Sequence, residues 1–109
     1  MPFFDLSQRP ERNPVPGIAM RTVWGERMLM AFFDLEPGAE IPEHAHPHEQ
    51  MGIGLAGAFE LTIGGESRRI GPGDPYWIPS GTPHRAVASD EGARVLDIFS
   101  PVREDYQGE

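Results

Sequence analysis

Short apolar segments alternate with turns that contain glycine or proline along most of this chain. No stretch repeats apolar residues at the i, i+3, i+4, i+7 spacing of an amphipathic helix, so each segment predicts a β-strand and the chain an all-β domain. One turn of helix is expected at 102–106. The predicted strands are 18–24, 27–35, 41–46, 51–55, 59–63, 66–70, 76–78, 84–88 and 93–99.

Two parts of this pattern concern what covers the sheet. Residues 1–17 are polar and rich in proline, which predicts an N-terminal arm, with residues 18–109 forming the barrel domain. The segment 27–35 is apolar on both faces. One face carries Met28, Met30 and Phe32, and the other carries Leu29, Ala31, Phe33 and Leu35. A strand buried on both faces needs a second covering layer. We expect a homodimer, and coverage by residues 1–17 is the alternative.

The composition excludes several classes of protein. At 109 residues the chain is long enough for one domain. Its net charge is −8 and its nine basic residues are all arginines, so we expect no nucleic-acid partner and no lysine-based catalysis. There is no cysteine, and no apolar run is long enough for a signal peptide or a membrane span. The prediction is a cytoplasmic protein that does not bind membranes.

All four histidines fall in two short segments. His44 and His46 are two residues apart, which puts them on one face of a strand, and Gln50 shares their parity if the bend after His46 preserves it. His84 follows a Pro-x-Gly turn and begins another strand. Imidazole is the commonest protein metal ligand, so these side chains predict a divalent transition-metal site with one or two open positions. His48 is expected to be a solvated turn residue.

The two histidine segments resemble the two signature motifs of the cupin family. Matching positions are Gly38, His44, His46, Gln50 and Gly57 in the first motif, and Gly73, Pro79, Gly81 and His84 in the second. The second motif usually ends in asparagine, and Ala88 stands in its place. The resemblance implies a double-stranded β-helix, or jelly-roll barrel, of a kind that is often dimeric.

Gln50 departs from the first motif, because most cupins carry glutamate there. An amide oxygen can bind a metal but adds no charge, so three imidazoles and one amide leave the full charge of the ion unscreened. This donor set favours Lewis-acid chemistry over oxygen activation. It suits nickel, zinc, manganese, iron or copper. Glu49 is the competing ligand if the bend shifts the register.

Asp97 lies on an apolar strand face that it shares with Val95 and Phe99. A carboxylate buried there without a partner is costly, so the position requires either a partner or a function. One interpretation is a salt bridge to Arg94 or Arg103. The functional interpretation is a general acid/base that faces the mouth of the barrel.

The first histidine segment and the C-terminal tail together resemble one group of cupins more narrowly, the pectin-degradation cupins that linearise unsaturated uronates. The resemblance implies a metal bound by two histidines, a glutamine and a third histidine, and a catalytic site completed by three residues near the C-terminus. The metal ligands would be His44, His46, Gln50 and His84, and the catalytic residues Asp97, Phe99 and Arg103.

The same resemblance implies a small carboxylated substrate. Arg103 would pair with its carboxylate, Asp97 would move the proton that opens the ring, and Phe99 would form an apolar wall. Further candidates for lining the pocket are Phe59, Tyr76 and Trp77. Two alternative functions are a metal-dependent cupin dioxygenase and a non-catalytic cupin that binds a metal or a small ligand.

Overall fold

A computed structural model describes residues 2–107 of the chain as seven strands and two short 3-10 helices. The strands are β1 (Ile18–Trp24), β2 (Leu29–Leu35), β3 (Glu40–His44), β4 (Glu49–Ile63), β5 (Glu66–Ile70), β6 (Pro75–Ile78) and β7 (His84–Ser100). The 3-10 helices are Leu6–Gln8 and Glu104–Tyr106, and the second falls inside the helical turn expected at 102–106.

The seven strands form two antiparallel layers that share β4 and β7. One layer has the order β1, β2, the C-terminal half of β7, the N-terminal half of β4, and β6. The other has the order β3, the N-terminal half of β7, the C-terminal half of β4, and β5. The prediction of an all-β jelly-roll barrel is therefore confirmed.

β4 and β7 are each one long strand where the sequence predicts two. The glycine-containing segments that indicate turns produce bends instead, because the β4–β7 register shifts on both sides of Gly57 while the pairing continues. Gly57 and Gly92 both have positive φ, +62° and +74°. A Cβ on Gly57 would overlap the carbonyl of Gly92, so this bend requires glycine. β3 also differs, since it ends at His44 and leaves His46 in the following loop.

The core lies between the two layers. Alternate residues of β1, β2 and β7 point inward, and this alternation is the period-2 pattern that predicts a half-buried strand. Each fully buried aliphatic or aromatic side chain contributes about 1.5–3 kcal/mol to folding. The largest fully buried side chains are Ile18, Leu29, Ile78 and Phe99.

The N-terminal arm runs beside β1, which is an edge strand. Arg9 donates a hydrogen bond to the carbonyl of Thr22, and Arg12 forms a backbone bridge with Met20. On the outer face of β2, Met30 and Phe32 remain partly exposed. The homodimer stays a prediction. No helix among the described residues is long and apolar enough to cross a membrane.

Candidate functional site

Three of the four histidines converge where the two layers meet. His44 ends β3 and is paired with His84, the first residue of β7, while His46 lies in the loop after β3. Their potential ligand atoms all lie within 4.8 Å of one another. The rings of His44 and His84 have centroids 4.3 Å apart, and those of His46 and His84 are 5.0 Å apart. The predicted histidine cluster is thus present in the fold.

The tautomer of each of these imidazoles is set by a backbone carbonyl. Each Nδ1 lies at hydrogen-bond distance from a carbonyl oxygen two residues away. These acceptors belong to Pro42, His48 and Thr82, at 2.9, 3.0 and 2.9 Å. A carbonyl only accepts, so each Nδ1 carries the hydrogen and each Nε2 presents a lone pair, as metal-bound histidines require.

Burial keeps two of the histidines neutral. The pKa of His84 is lowered to about 4, chiefly by burial and also by the charges of His44, His46 and Arg103, against the opposing effect of the hydrogen bond with the Thr82 carbonyl. Burial also lowers the pKa of His46, with a smaller contribution from Arg103. Both rings are therefore uncharged at neutral pH, the state in which imidazole binds a metal.

Gln50 supplies a fourth donor to this cluster. Its side chain points inward and is 6% exposed, and its Oε1 lies 3.1 Å from His46 Nε2. With the hydrogen of His46 on Nδ1, this contact brings two lone-pair atoms together. Such a pair is unfavourable unless a cation or a proton lies between them. Three imidazoles and an amide oxygen facing one point are the donor set of a divalent transition-metal site.

The neighbours of Gln50 are placed elsewhere. Glu49 lies on the opposite face of β4, where its carboxylate accepts a 2.9 Å hydrogen bond from Trp77 Nε1. The structure therefore brings Gln50, and not Glu49, to the histidines. His48, expected to be solvated, is only partly exposed, and its Nδ1 is buried without a hydrogen-bond partner among residues 2–107. Its contribution to the cluster is the backbone carbonyl that orients His46.

Asp97 lies on the inner face of β7 and is 7% exposed. Its Oδ1 accepts a short hydrogen bond from the Tyr76 hydroxyl. Burial raises the pKa of Asp97 to about 6, against the opposing effect of hydrogen bonds from Tyr76 and Gln50. A carboxyl group that titrates near neutrality beside a metal site can both accept and return a proton.

The salt bridge considered for Asp97 is not formed. Arg94 lies on the outer face and pairs with Asp34 at 2.8 Å. Arg103 pairs with Asp105, with Nη2 2.7 Å and Nε 3.1 Å from the carboxylate oxygens. The alternation of β7 explains the first result, because residues 94 and 97 point to opposite faces.

Tyr76 reaches Asp97 through a gap left by a glycine. Tyr76, Gly52 and Asp97 are directly paired across β6, β4 and β7, so they form one row on the inner face. A Cβ on Gly52 would overlap both the Tyr76 hydroxyl and Asp97 Oδ1. Sequence reasoning found Tyr76 only as a pocket-lining residue. The missing information was the cross-strand register, which the sequence does not specify by itself.

Arg103 and Phe99 complete the arrangement. The Arg103 guanidinium lies over the Tyr106 ring, 3.9 Å from its centroid, and 5.0 Å from the Phe99 centroid. Phe99 is 1% exposed and packs edge-on against His46, with ring centroids 5.6 Å apart. Phe99 therefore packs against the cluster of His44, His46, His84 and Gln50, called the metal cluster below, and lines the same cavity as Arg103.

A cavity of about 380 Å³ connects these groups. Its polar lining includes His44, Gln50, His84, Asp97 and Arg103. Of the further pocket candidates, Phe59 and Tyr76 line this cavity, whereas Trp77 lies outside it on the outer face and is 55% exposed. Pro14 and Val15 of the arm, together with Tyr106, close one side, which the sequence did not indicate.

Asp97 also determines how the stability of metal-free protein depends on pH. Burial raises the pKa of Asp97 from its usual 3.8 to about 6, so unfolding between these values releases a proton. The contribution of this group to the free energy of unfolding therefore falls as pH rises through that window, by roughly 3 kcal/mol in total. Asp97→Asn should consequently stabilise metal-free protein more at pH 8 than at pH 4.5, as measured by urea unfolding. An equal effect at both pH values would contradict this.

Comparison with known proteins agrees with this geometry. The cupin domain model matches residues 31–99. The pectin degradation protein KdgF of Dickeya dadantii (strain 3937) is 34% identical over 106 residues, covering 95% of this chain and 96% of that protein. The structure of KdgF from Halomonas sp. has a TM-score of 0.89 at 34% identity, with 96% and 97% of the two chains covered. An RmlC-like cupin from Shewanella frigidimarina NCIMB 400 has a TM-score of 0.91 at 26% identity, covering 98% of this chain and 96% of that one.

The matched span contains the metal cluster and Asp97, and the KdgF match extends over nearly the whole chain. The protein is therefore a member of the cupin family.

Proposed function

We propose that this cupin is a metal-dependent enzyme that linearises 4,5-unsaturated uronates. One observation carries the proposal: a buried carboxyl group, Asp97, faces the same cavity as the histidine–glutamine cluster, with an arginine at the border of that cavity. The 34% identity of this chain to a pectin degradation protein, over nearly the full length of the chain, supports the same substrate class.

The reaction is an isomerisation that needs one acid/base group and no oxidant. The C1 hydroxyl loses a proton, the C1–O5 bond breaks to give an aldehyde at C1 and an enolate at C4–C5, and C4 gains a proton as the enolate becomes a ketone at C5. Asp97 accepts the first proton and returns one to C4. His44, His46, His84 and Gln50 would hold a metal, which would supply Lewis-acid polarisation of a substrate oxygen.

Arg103 binds the substrate carboxylate in this proposal. Its guanidinium is already aligned by Tyr106 and Phe99, and its side chain is only 11% exposed. A planar guanidinium matches a carboxylate in a two-point contact. Asp105 now occupies two of its donors. A substrate carboxylate would take up the remaining donors or replace this exposed partner, and Phe99 would provide the apolar wall beside the ring.

The metal is a divalent transition ion, and nickel, zinc, manganese, iron and copper all fit three imidazoles and an amide oxygen. Elemental analysis of purified protein identifies it. We expect about one ion per chain, and we expect a chelator to remove the ion together with activity, which returns when the ion is added back.

Loss of ultraviolet absorbance tests the reaction, because linearisation removes the C4=C5 double bond conjugated to the carboxylate. Wild-type protein should accelerate this loss for unsaturated monouronates without consuming oxygen. Oxygen uptake at an electrode during turnover would instead favour the dioxygenase. Binding of uronates without any absorbance change would favour the non-catalytic cupin.

We also propose that the outer face of the layer containing β1, β2 and β6 pairs with a second copy of this chain. Four apolar side chains lie next to one another in register across β2, β7, β4 and β6, namely Met30, Ile98, Met51 and Trp77. Met51 is 53% exposed and Trp77 is 55% exposed. The ion pair between Asp34 and Arg94 on this face cancels its own charge. Two chains of charge −8 repel one another less across an apolar face with few unpaired charges, although Glu49 also lies on this face beside Trp77.

Sedimentation equilibrium tests this pairing. Wild-type protein should have twice the 12.1 kDa chain mass at micromolar concentration, and Met51→Glu should have the mass of one chain. Gln8→Glu, which adds the same charge on the arm, is the matched control. A wild-type protein that sediments as a monomer would exclude the dimer.

A further inference from the structure

We propose that Tyr76 is a positioning residue for Asp97: its hydroxyl holds Asp97 Oδ1 so that the other carboxylate oxygen is the one presented to the substrate. The effect on turnover rests on the proposed function. The arrangement of the carboxylate does not, and it can be tested separately.

The contact between Tyr76 and Asp97 is built by three strands. Tyr76 lies on β6 and Asp97 on β7, and the two strands are separated by β4. Residues that are two strands apart are usually too distant for a side-chain hydrogen bond unless the intervening position is small. Gly52 fills that position, and any side chain there would overlap both partners. The register and the glycine together allow this bond.

The tyrosine ring itself is held in place. It packs edge-on against Phe59, with ring centroids 6.1 Å apart. The ring also lines both the central cavity and a second groove of about 270 Å³, which Leu61 and Trp77 line as well. The contact with Phe59 and the hydrogen bond from the hydroxyl to Asp97 therefore hold the ring in this orientation. Asp97 is the only hydrogen-bond partner of this hydroxyl among residues 2–107.

Gln50 is a second donor to Asp97. Burial raises the pKa of the Asp97 carboxyl group, and a hydrogen bond from the Gln50 side chain opposes this rise, while Gln50 Oε1 faces His46. The bond from Tyr76 occupies Oδ1, so that oxygen is unavailable to substrate, and the two donors together restrict rotation of the carboxylate. Removal of the hydroxyl leaves a single donor, so the carboxylate can rotate about its last torsion. Proton transfer depends on this orientation, whereas metal binding and Arg103 do not.

The test compares Tyr76→Phe with wild type, because this change deletes one hydroxyl and retains the ring. We expect kcat for an unsaturated uronate to fall about tenfold or more while KM and metal content stay the same. Thr62→Val is the matched control, since it also deletes one hydroxyl, which lies 2.7 Å from the Ser67 hydroxyl and does not line the cavity. Its kcat should equal that of wild type. An unchanged kcat in Tyr76→Phe, or a rise in KM with loss of metal, would overturn the positioning role.

Crystal structures of metal-loaded protein decide the proposal even if uronates are not the substrate. In wild type the Tyr76 hydroxyl should bond Asp97, and in Tyr76→Phe the carboxylate should adopt a new orientation. Asp97 oxygens in the same places in both structures would overturn the proposal. So would a wild-type Tyr76 hydroxyl turned away from Asp97, a result that needs no variant to fold. If wild-type protein is inactive on uronates but the Asp97 carboxylate rotates in Tyr76→Phe as expected, the proposed reaction is rejected and the positioning of Asp97 by Tyr76 stands.

Discussion

Asp97→Asn should leave the metal bound and reduce kcat by a factor of about 10²–10⁴, the usual range for loss of a general acid/base. The contacts of Asp97 are with Tyr76 and Gln50, and it is not among the residues grouped around the metal. Asparagine keeps its shape and still accepts the hydrogen bond from Tyr76. It cannot take up a proton, so binding should survive while the ring-opening step fails.

Metal content by elemental analysis and initial rates by ultraviolet absorbance measure the two halves of this prediction. Asp34→Asn is the matched control, because Asp34 lies on the outer face and pairs with Arg94 there. It should retain wild-type activity. An Asp97→Asn protein with full turnover would remove Asp97 from catalysis, and one that has lost its metal would make the carboxylate a determinant of the metal site.

The metal cluster could be predicted because its information is local. The i and i+2 spacing predicts that His44 and His46 point the same way, and they meet at one site even though β3 ends at His44. The Pro-x-Gly turn before His84 starts the strand that meets β3. The choice between Glu49 and Gln50 follows from the same alternation once the start of β4 is known. The sequence left that choice open because the loop between His44 and Glu49 sets the register.

The surroundings of Asp97 could not be predicted, because they depend on pairing between distant segments. Gly52, Tyr76 and Asp97 become neighbours only when β4, β6 and β7 adopt one register. Nothing in the three isolated segments specifies that register, since a shift by one residue would reverse the face of every side chain. The alternation of β7 argues against Arg94, but a salt bridge to Arg103 was as reasonable from sequence as the tyrosine bond in the structure.

The same limitation explains the two long strands. Glycine-containing turn signals at 56–57 and 89–92 predict breaks in an isolated segment. In the fold, Gly57 and Gly92 lie against one another on neighbouring strands, so both backbones bend together and stay paired. This shared bend carries β4 and β7 from one layer to the other. Gln50 and Asp97 therefore lie in one layer and face the histidines of β3 and β7 in the other.

Gln50→Glu should retain the metal and reduce kcat by about 10–100-fold, because the amide connects the metal cluster to Asp97. Gln50 directs Oε1 toward His46 Nε2 and donates to Asp97. A glutamate keeps the oxygen ligand but replaces the donor with a second acceptor. The two adjacent buried carboxylates repel, which raises the pKa of Asp97 and leaves less of it ionised at neutral pH. The added charge also weakens the Lewis acidity of the ion.

The signature of this mechanism is a shift of the pH–kcat profile. Since Asp97 must be ionised to accept the first proton, the acidic limb in Gln50→Glu should move to higher pH, and activity should partly recover there. Glu49→Gln makes the reverse change one residue away, on the outer face of β4, and should leave the profile unchanged. A Gln50→Glu protein with wild-type kcat and an unmoved acidic limb would show that the amide is interchangeable with a carboxylate. The departure from the usual cupin glutamate would then have no connection with Asp97.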